Sequence, residues 1–317
     1  MDTFSEILKA LLIGVVEGIT EWLPISSTGH MILVDEFVRL AVSPEFLEMF
    51  LVVIQLGAIL AVIVIYFRKL NPLSRTKSPD ERRGTWRLWG MVVIGCIPAA
   101  IVGFAFDDWV NEHFYNKVTV ACMLILYGVL FIVIERRNRR RLAHVHAGQN
   151  RVRGKHAKLP EGMRDNGSEA ETQVDMFPVR TVDDINWKTA LKIGFFQVLA
   201  IVPGTSRSGA TIIGGMLCGC SRTAAAEFTF FLAIPVMLGW GLVKVIKFAL
   251  AGIAMTQTEL MVLVVGIVTA FVMSVIAIRF LMGYIKKNDF TVFGWYRIVI
   301  GVLVLGYFVL EMQGLLP

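Results

Sequence analysis

Charge is what this sequence has least of. Only 18% of its 317 residues are Asp, Glu, Lys or Arg, while 56% are hydrophobic, and the mean hydropathy is +0.65. A soluble domain carries about 25% charged and about 45–50% apolar residues. So little charge excludes a disordered chain. So much apolar surface exceeds what one soluble core can bury, because single cores stop growing near about 250–300 residues. Cysteine is scarce as well. Cys96, Cys122, Cys218 and Cys220 are too few for a disulfide scaffold, and the 218/220 spacing is wrong for a zinc knuckle. All four lie in apolar stretches and are expected to be small buried residues. The N-terminus carries Asp2 and Glu6 but no basic segment, so no cleaved signal peptide is expected. What remains is a polytopic membrane protein.

Six stretches are long and apolar enough to span roughly 30 Å of hydrocarbon. They cover about 44–67, 88–106, 118–134, 224–250, 260–282 and 292–310. Ser43-Pro44 supplies an N-cap followed by proline at the first helical position. Two further apolar segments, about 7–40 and 190–220, are interrupted. The first is broken by Leu23-Pro24-Ile25-Ser26-Ser27-Thr28-Gly29 and the second by Val202-Pro203-Gly204-Thr205-Ser206-Arg207-Ser208-Gly209. A break at membrane depth leaves backbone groups unpaired, which is tolerated only inside protein or beside a wet cavity. Both segments therefore read as re-entrant helical hairpins.

The formal net charge of +6 is concentrated in the connections. Of 31 Lys and Arg, 7 fall in 68–87, 12 in 136–188 and 2 at Lys286 and Lys287. The turn near 110 is instead acidic, with Asp107, Asp108 and Glu112, and the turn at 251–258 is uncharged. Placing the basic connections in the cytoplasm lets six spans alternate without conflict. The basic balance is then a topology signal, and no nucleic-acid partner is expected. Under this alternation the first hairpin enters from outside and the second from inside. A shift of 180 residues also aligns Gly14 with Gly194, Glu17 with Gln197, Ser26 with Ser206, Thr28 with Ser208, Gly29 with Gly209 and Phe50 with Phe230. The expected fold is an all-α polytopic membrane protein built as an inverted repeat, each half one hairpin plus three transmembrane helices. Residues 1–135 form the first repeat, 136–188 a basic cytoplasmic loop and 189–317 the second repeat. His144, His146 and His156 read as solvated loop residues rather than metal ligands, and the run Arg136–Arg141 as an orientation signal that also suits anionic lipid.

Few charges remain in the apolar segments, and those few are informative. Glu17 and Glu21 stand four residues apart on one helix face, where two like charges repel and demand a cation. A carboxylate pair with few other ligands suits Mg²⁺ or Ca²⁺ at a phosphate site. Ser26, Ser27, Thr28 and His30 follow within nine residues of Glu21. In the second hairpin Arg207 demands an anion, and its planar fork matches phosphate oxygens. Gly204, Ser206, Ser208 and Thr211 surround it, at the start of a helix whose first N–H groups favour anions. A structural Arg–Glu pair is the simpler alternative and is compatible with the same residues. Together the hairpins hold the parts of a phosphoryl-transfer site within reach of a lipid. Glu227, Lys244, Lys247, Arg279 and Arg297 lie near segment ends, where long side chains snorkel. Gln55 and Gln197 suit hydrogen bonds between helices, and Arg222 suits a pair with Glu227.

Two motifs carry a family resemblance. Glu17-Gly-Ile-Thr-Glu21 and Pro203-Gly-Thr-Ser-Arg-Ser-Gly-Ala-Thr211, with the run Ser26–His30, are similar to those of the undecaprenyl-diphosphate phosphatase family, the bacitracin-resistance type. The resemblance covers nearly the whole chain. It implies hydrolysis of a C55 polyprenyl diphosphate to the monophosphate and phosphate in the bacterial inner membrane. It also implies recycling of the lipid carrier for cell-wall synthesis, bacitracin resistance, Mg²⁺ or Ca²⁺ as the metal, and a site opening to the periplasm. By position, Glu17 and Glu21 would bind metal or activate the nucleophile, His30 would be nucleophile or acid/base, Ser27 would be the competing nucleophile, and Arg207 would clamp the diphosphate. The extended 136–188 segment departs from the family pattern. A homodimer is compatible with this picture but not required by it.

Two rival readings meet specific objections. Acid-phosphatase-like lipid phosphatases need a second histidine well after the Ser-Arg pair, and no histidine follows His156. A polyprenyl-phosphate transporter would share the inverted repeat and broken helices but has no need of Glu21, Ser27 and His30 beside an arginine.

Overall fold

The computed structural model describes residues 3–156, 177–252 and 254–313. Among these residues the regular structure is helical, apart from one bridge between Val179 and Cys220. The helices are α1 (Thr3–Thr20), α2 (Ser27–Phe37), α3 (Pro44–Ile65), the single turn α4 (Phe67–Leu70), α5 (Pro79–Phe114), α6 (Lys117–His156), α7 (Trp187–Val198), α8 (Arg207–Leu217), α9 (Arg222–Leu250), α10 (Gln257–Ile285) and α11 (Thr291–Met312). Six of them, α3, α5, α6, α9, α10 and α11, are long and apolar enough to cross a membrane. Their outward surface is correspondingly greasy: Phe104 is 96% exposed and Leu250 81%. Such residues face a solvent as apolar as themselves, so the protein is a multi-pass membrane protein.

The two interrupted segments are each a pair of helices around a break. At about 1.5 Å per residue, α2, α7 and α8 reach only about 16–18 Å, too short to cross. Contacts sort the connections into two ends. At one end Glu6 accepts from the Ala41 amide, Thr3 meets Thr258, and Glu259 accepts from the hydroxyls of both Ser43 and Thr256 at 3.0 Å, tying the starts of α3 and α10 together. At the other end Lys69 pairs with Asp183, Arg139 with Asp289, and Val179 bridges to Cys220. The first hairpin starts and finishes at the former end, the second at the latter. Each hairpin packs against the opposite half of the chain. α1 lies on α10, where Gly14 and Gly18 have no room for a methyl, and α7 lies on α5, where Gly194 meets the Gly95 carbonyl. Trp22 packs edge-on to Phe230 with ring centres 5.4 Å apart, seating the first break on α9.

Several expectations change. Helix α5 runs on through Asp107, Asp108 and Glu112, so these acidic residues end a helix rather than form a turn. Helix α6 runs past Arg136–Arg141 to His156, so the first part of the expected loop is helix. Arginine, leucine and alanine are good helix formers, and nothing at 135 stops the run. His144 is exposed on α6; the side chains of His146 and His156 and all of residues 157–176 lie outside the described residues. Of the cysteines only Cys220 is buried; Cys96 and Cys218 are half-buried and Cys122 is exposed, because an apolar stretch also has a lipid-facing side. Arg222 does not pair with Glu227. It grips the fully buried Glu135 through Nε at 2.8 Å and Nη2 at 2.6 Å, and Glu135 also accepts from the Phe290 amide. Glu227 lies 3.5 Å from Lys69 instead. Desolvation alone would raise the Asp289 carboxyl, but Arg139 and the Thr291 groups hold it below its usual range.

Candidate active site

The two breaks meet at the centre of the molecule. Ser26 and Ser206 are the only non-glycine residues with positive φ among the described residues, at 76° and 72°. Each caps the helix that follows, with its hydroxyl accepting from the amide three residues on: Gly29 for α2 and Gly209 for α8. Two serines 180 positions apart thus open two helix N-termini in the same strained way. Gly204 adds φ 88°, and a Cβ there would meet the Val120 backbone at 2.7 Å. Gly204→Ala is therefore expected to cost about 1–3 kcal/mol through strain and overlap. A lower thermal midpoint in detergent would register it, and an unchanged midpoint would contradict it.

Glu21 joins the breaks. Its Oε2 accepts from Ser27 Oγ at 2.7 Å, and its Oε1 accepts from Arg207 Nη2 at 3.0 Å. Arg207 Nη1 donates to Thr229 O at 3.1 Å, so α9 fixes the guanidinium from the other side. Ser208 Oγ donates to Glu21 O at 3.1 Å. A cavity of about 190 Å³ opens over this junction, lined by Glu21, Ser27 and Thr28 from the first hairpin and Gly204, Ser206 and Arg207 from the second. Gln55 and α9 close it.

The other candidate residues sit around this cavity rather than on it. Ser26, Ser208 and Thr211 are buried, and their hydroxyls serve the protein's own backbone. His30 bonds Ser26 O through Nδ1 at 2.8 Å and Tyr296 OH through Nε2 at 2.7 Å, away from the lining residues. Glu17 is buried one turn before Glu21, and its Oε1 has no hydrogen-bond partner. Gln197, the 180-residue counterpart of Glu17, is buried with both amide atoms unpartnered, and Gln55 lines the cavity, so neither forms the expected hydrogen bond between helices.

Arg297 corrects the sequence reading most. It does not snorkel. It is fully buried and donates to five main-chain carbonyls: Leu124 through Nε, Pro24 through Nη1 at 3.2 Å, and Met123, Gly204 and Thr205 through Nη2, the last two at 2.9 and 3.0 Å. Its guanidinium lies 5.4 Å from the Tyr127 ring centre. Broken helices leave carbonyls unpaired, and Arg297 collects them from both breaks at once. No local motif marks this residue; the only sequence signal was a charge placed six residues into an apolar span.

A membrane protein whose described residues are helical, and whose two broken hairpins meet at a serine and an arginine held by one carboxylate, belongs to the class of membrane-embedded enzymes that handle phosphorylated lipids. Residues 10–303 match the family described as Bacitracin resistance protein BacA, and the chain belongs to that family. It is similar to the protein named undecaprenyl-diphosphatase of Desulfitobacterium hafniense, with 53% identity over 304 residues, 96% of each chain. It is also similar to those of Acetivibrio thermocellus, 50% identical over 303 residues, and Enterococcus faecalis, 49% over 305, each covering 96% of this chain and 98% of the relative.

Proposed function

We infer that the chain is an undecaprenyl-diphosphatase. It hydrolyses undecaprenyl diphosphate to the monophosphate and phosphate, returning the lipid carrier to cell-wall synthesis and conferring bacitracin resistance. The observation that carries the mechanism is the Ser27 Oγ–Glu21 Oε2 hydrogen bond of 2.7 Å, a nucleophile within reach of its base. A transporter has no need of such a pair. The diphosphate head occupies the cavity between the helix starts of α2 and α8. Arg207 draws charge from the phosphate oxygens, and the Gly204–Ser206 turn lies alongside. Ser27 Oγ attacks the terminal phosphorus, its proton passes to Glu21, and the bridging P–O bond breaks to release the lipid monophosphate. The departing lipid monophosphate takes that proton from Glu21; water then attacks the phosphoserine phosphorus, its proton passes to Glu21 and on to Ser27 Oγ as the Oγ–P bond breaks, and phosphate is released. His30 holds α2 in place through Ser26 O rather than reacting itself.

The chemistry of the donor set fits a divalent cation. The orphaned Glu17 oxygen and Glu21 would hold Mg²⁺ or Ca²⁺, and a bound cation would neutralise charge on the diphosphate. The basic end faces the cytoplasm of a bacterial inner membrane. On α9 the cavity is lined by Val236, Met237 and Trp240, which lie beyond Thr229 towards the less basic end, and this supports an opening to the periplasm. Together with the opposed hairpins, this orientation makes the chain an inverted repeat of residues 1–135 and 189–317.

Purified protein in detergent should release phosphate from undecaprenyl diphosphate, lose that activity on chelation, and regain it with Mg²⁺ or Ca²⁺. Absence of phosphate release with either metal would end the enzymatic reading. Rapid quench and mass spectrometry should trap phosphate on the peptide containing Ser27. A phosphohistidine at His30, or no covalent intermediate, would reject the serine route.

A further inference from the structure

The cavity has two unlike halves. Opposite its polar residues stands an apolar wall: Ala200 and Val202 from the second hairpin, and Val236, Met237 and Trp240 from α9. Pro235 lies inside α9 immediately before these three residues, where it has no N–H to donate to the preceding turn. The cavity measures about 190 Å³. That is room for a compact charged head and not for a long hydrocarbon chain. The chain must leave, and it must leave across apolar surface. The wall offers that route: Trp240 is 44% exposed, and Val243, three residues further along α9, is exposed as well. The length also suits. Thr229 O marks the level of the Arg207 clamp, and Trp240 lies eleven residues further along α9, about 16 Å.

We propose that Val236, Met237 and Trp240 form the binding track for the first isoprene units of the polyprenyl tail, with Trp240 as its specificity-determining residue. This rests on the phosphatase reading above. The flat indole supplies apolar area at the point where the tail passes from protein to bilayer. The track therefore selects for a prenyl chain on the diphosphate, while the polar half selects for the diphosphate itself.

The test compares undecaprenyl diphosphate with ethyl diphosphate, which has the head but no tail, in the purified protein with metal. Trp240→Ala should lower the ratio of the two kcat/KM values about tenfold, through a higher KM for the long substrate. Trp240→Phe should recover most of the ratio. Trp86→Ala removes an exposed tryptophan far from the site and should leave the ratio unchanged. An unchanged ratio in Trp240→Ala, or the same drop in Trp86→Ala, would overturn the track and leave Trp240 as a bilayer anchor. An equal loss on both substrates would also overturn it. If the wild-type protein hydrolyses neither substrate, the phosphatase reading itself has failed, which is a different result.

Discussion

Arg207→Ala should lower turnover of undecaprenyl diphosphate by about a hundredfold or more. Transition-state charge on the transferring phosphoryl group is stabilised by donors fixed in advance, and removing one such donor costs about 10²–10³ in kcat. Arg207 is fixed in advance on two sides, by Glu21 Oε1 at 3.0 Å and Thr229 O at 3.1 Å. Its buried Nε has no hydrogen-bond partner among the described residues. The substitution also strips Glu21 of its counter-charge, so loss of folding must be separated from loss of chemistry. Arg207→Lys does this, because it keeps the positive charge but cannot reproduce the fork. A well-folded Lys variant with turnover between wild type and Ala would assign the loss to transition-state contacts. The measurement is kcat by phosphate release, beside thermal unfolding of each variant in detergent. Near-normal turnover in a folded Arg207→Ala protein would remove Arg207 from the mechanism.

The residues that could be read from the sequence were those whose oddity is local. An apolar run of about twenty residues, or a Pro-Gly-Ser interruption within one, declares itself without reference to the rest of the chain. Glu21 and Arg207 stood out for the same reason, as charges inside such runs beside glycine and serine. Local spacing could not say which way a side chain turns. Ser26, Ser208 and Thr211 sit in the same motifs as Ser27, yet their hydroxyls satisfy backbone in the breaks. Pairings across the chain were hidden for a different reason. Glu135 precedes a basic run and looks like its counter-charge, but it is buried against Arg222, 87 positions away, because α6 carries it into the interface with the second half. Gln197 looked like an ordinary helix-to-helix donor. Its unpartnered burial, matching the orphaned oxygen of Glu17, emerges only when the halves are brought together.

Arg297 is where the hidden part of the design has its largest consequence. Arg297→Leu should lower the thermal midpoint sharply and reduce turnover with it, although the side chain is not among those lining the cavity. Two of its five acceptors, the carbonyls of Met123 and Leu124, lie within α6. The other three, Pro24, Gly204 and Thr205, lie in the breaks, where no helical N–H follows to claim them. Leaving a buried acceptor unsatisfied costs about 1–3 kcal/mol, so three amount to about 3 kcal/mol or more. That is a large share of the about 5–15 kcal/mol that holds a folded protein together. The same three bonds set the distance between the two turns. Pro24 precedes Ser26 and Ser27 by a few residues, and Thr205 precedes Ser206 and Arg207. Freed from one another, the turns would no longer hold Ser27 and Arg207 together at one cavity, and a misplacement of about 1 Å can cost about a hundredfold in rate. Arg297→Lys should recover little, because one ammonium on a flexible stem cannot reach carbonyls on both breaks. Thermal unfolding and phosphate release on the Leu and Lys variants measure both effects. Wild-type values for both quantities in Arg297→Leu would show that the breaks hold their positions without it.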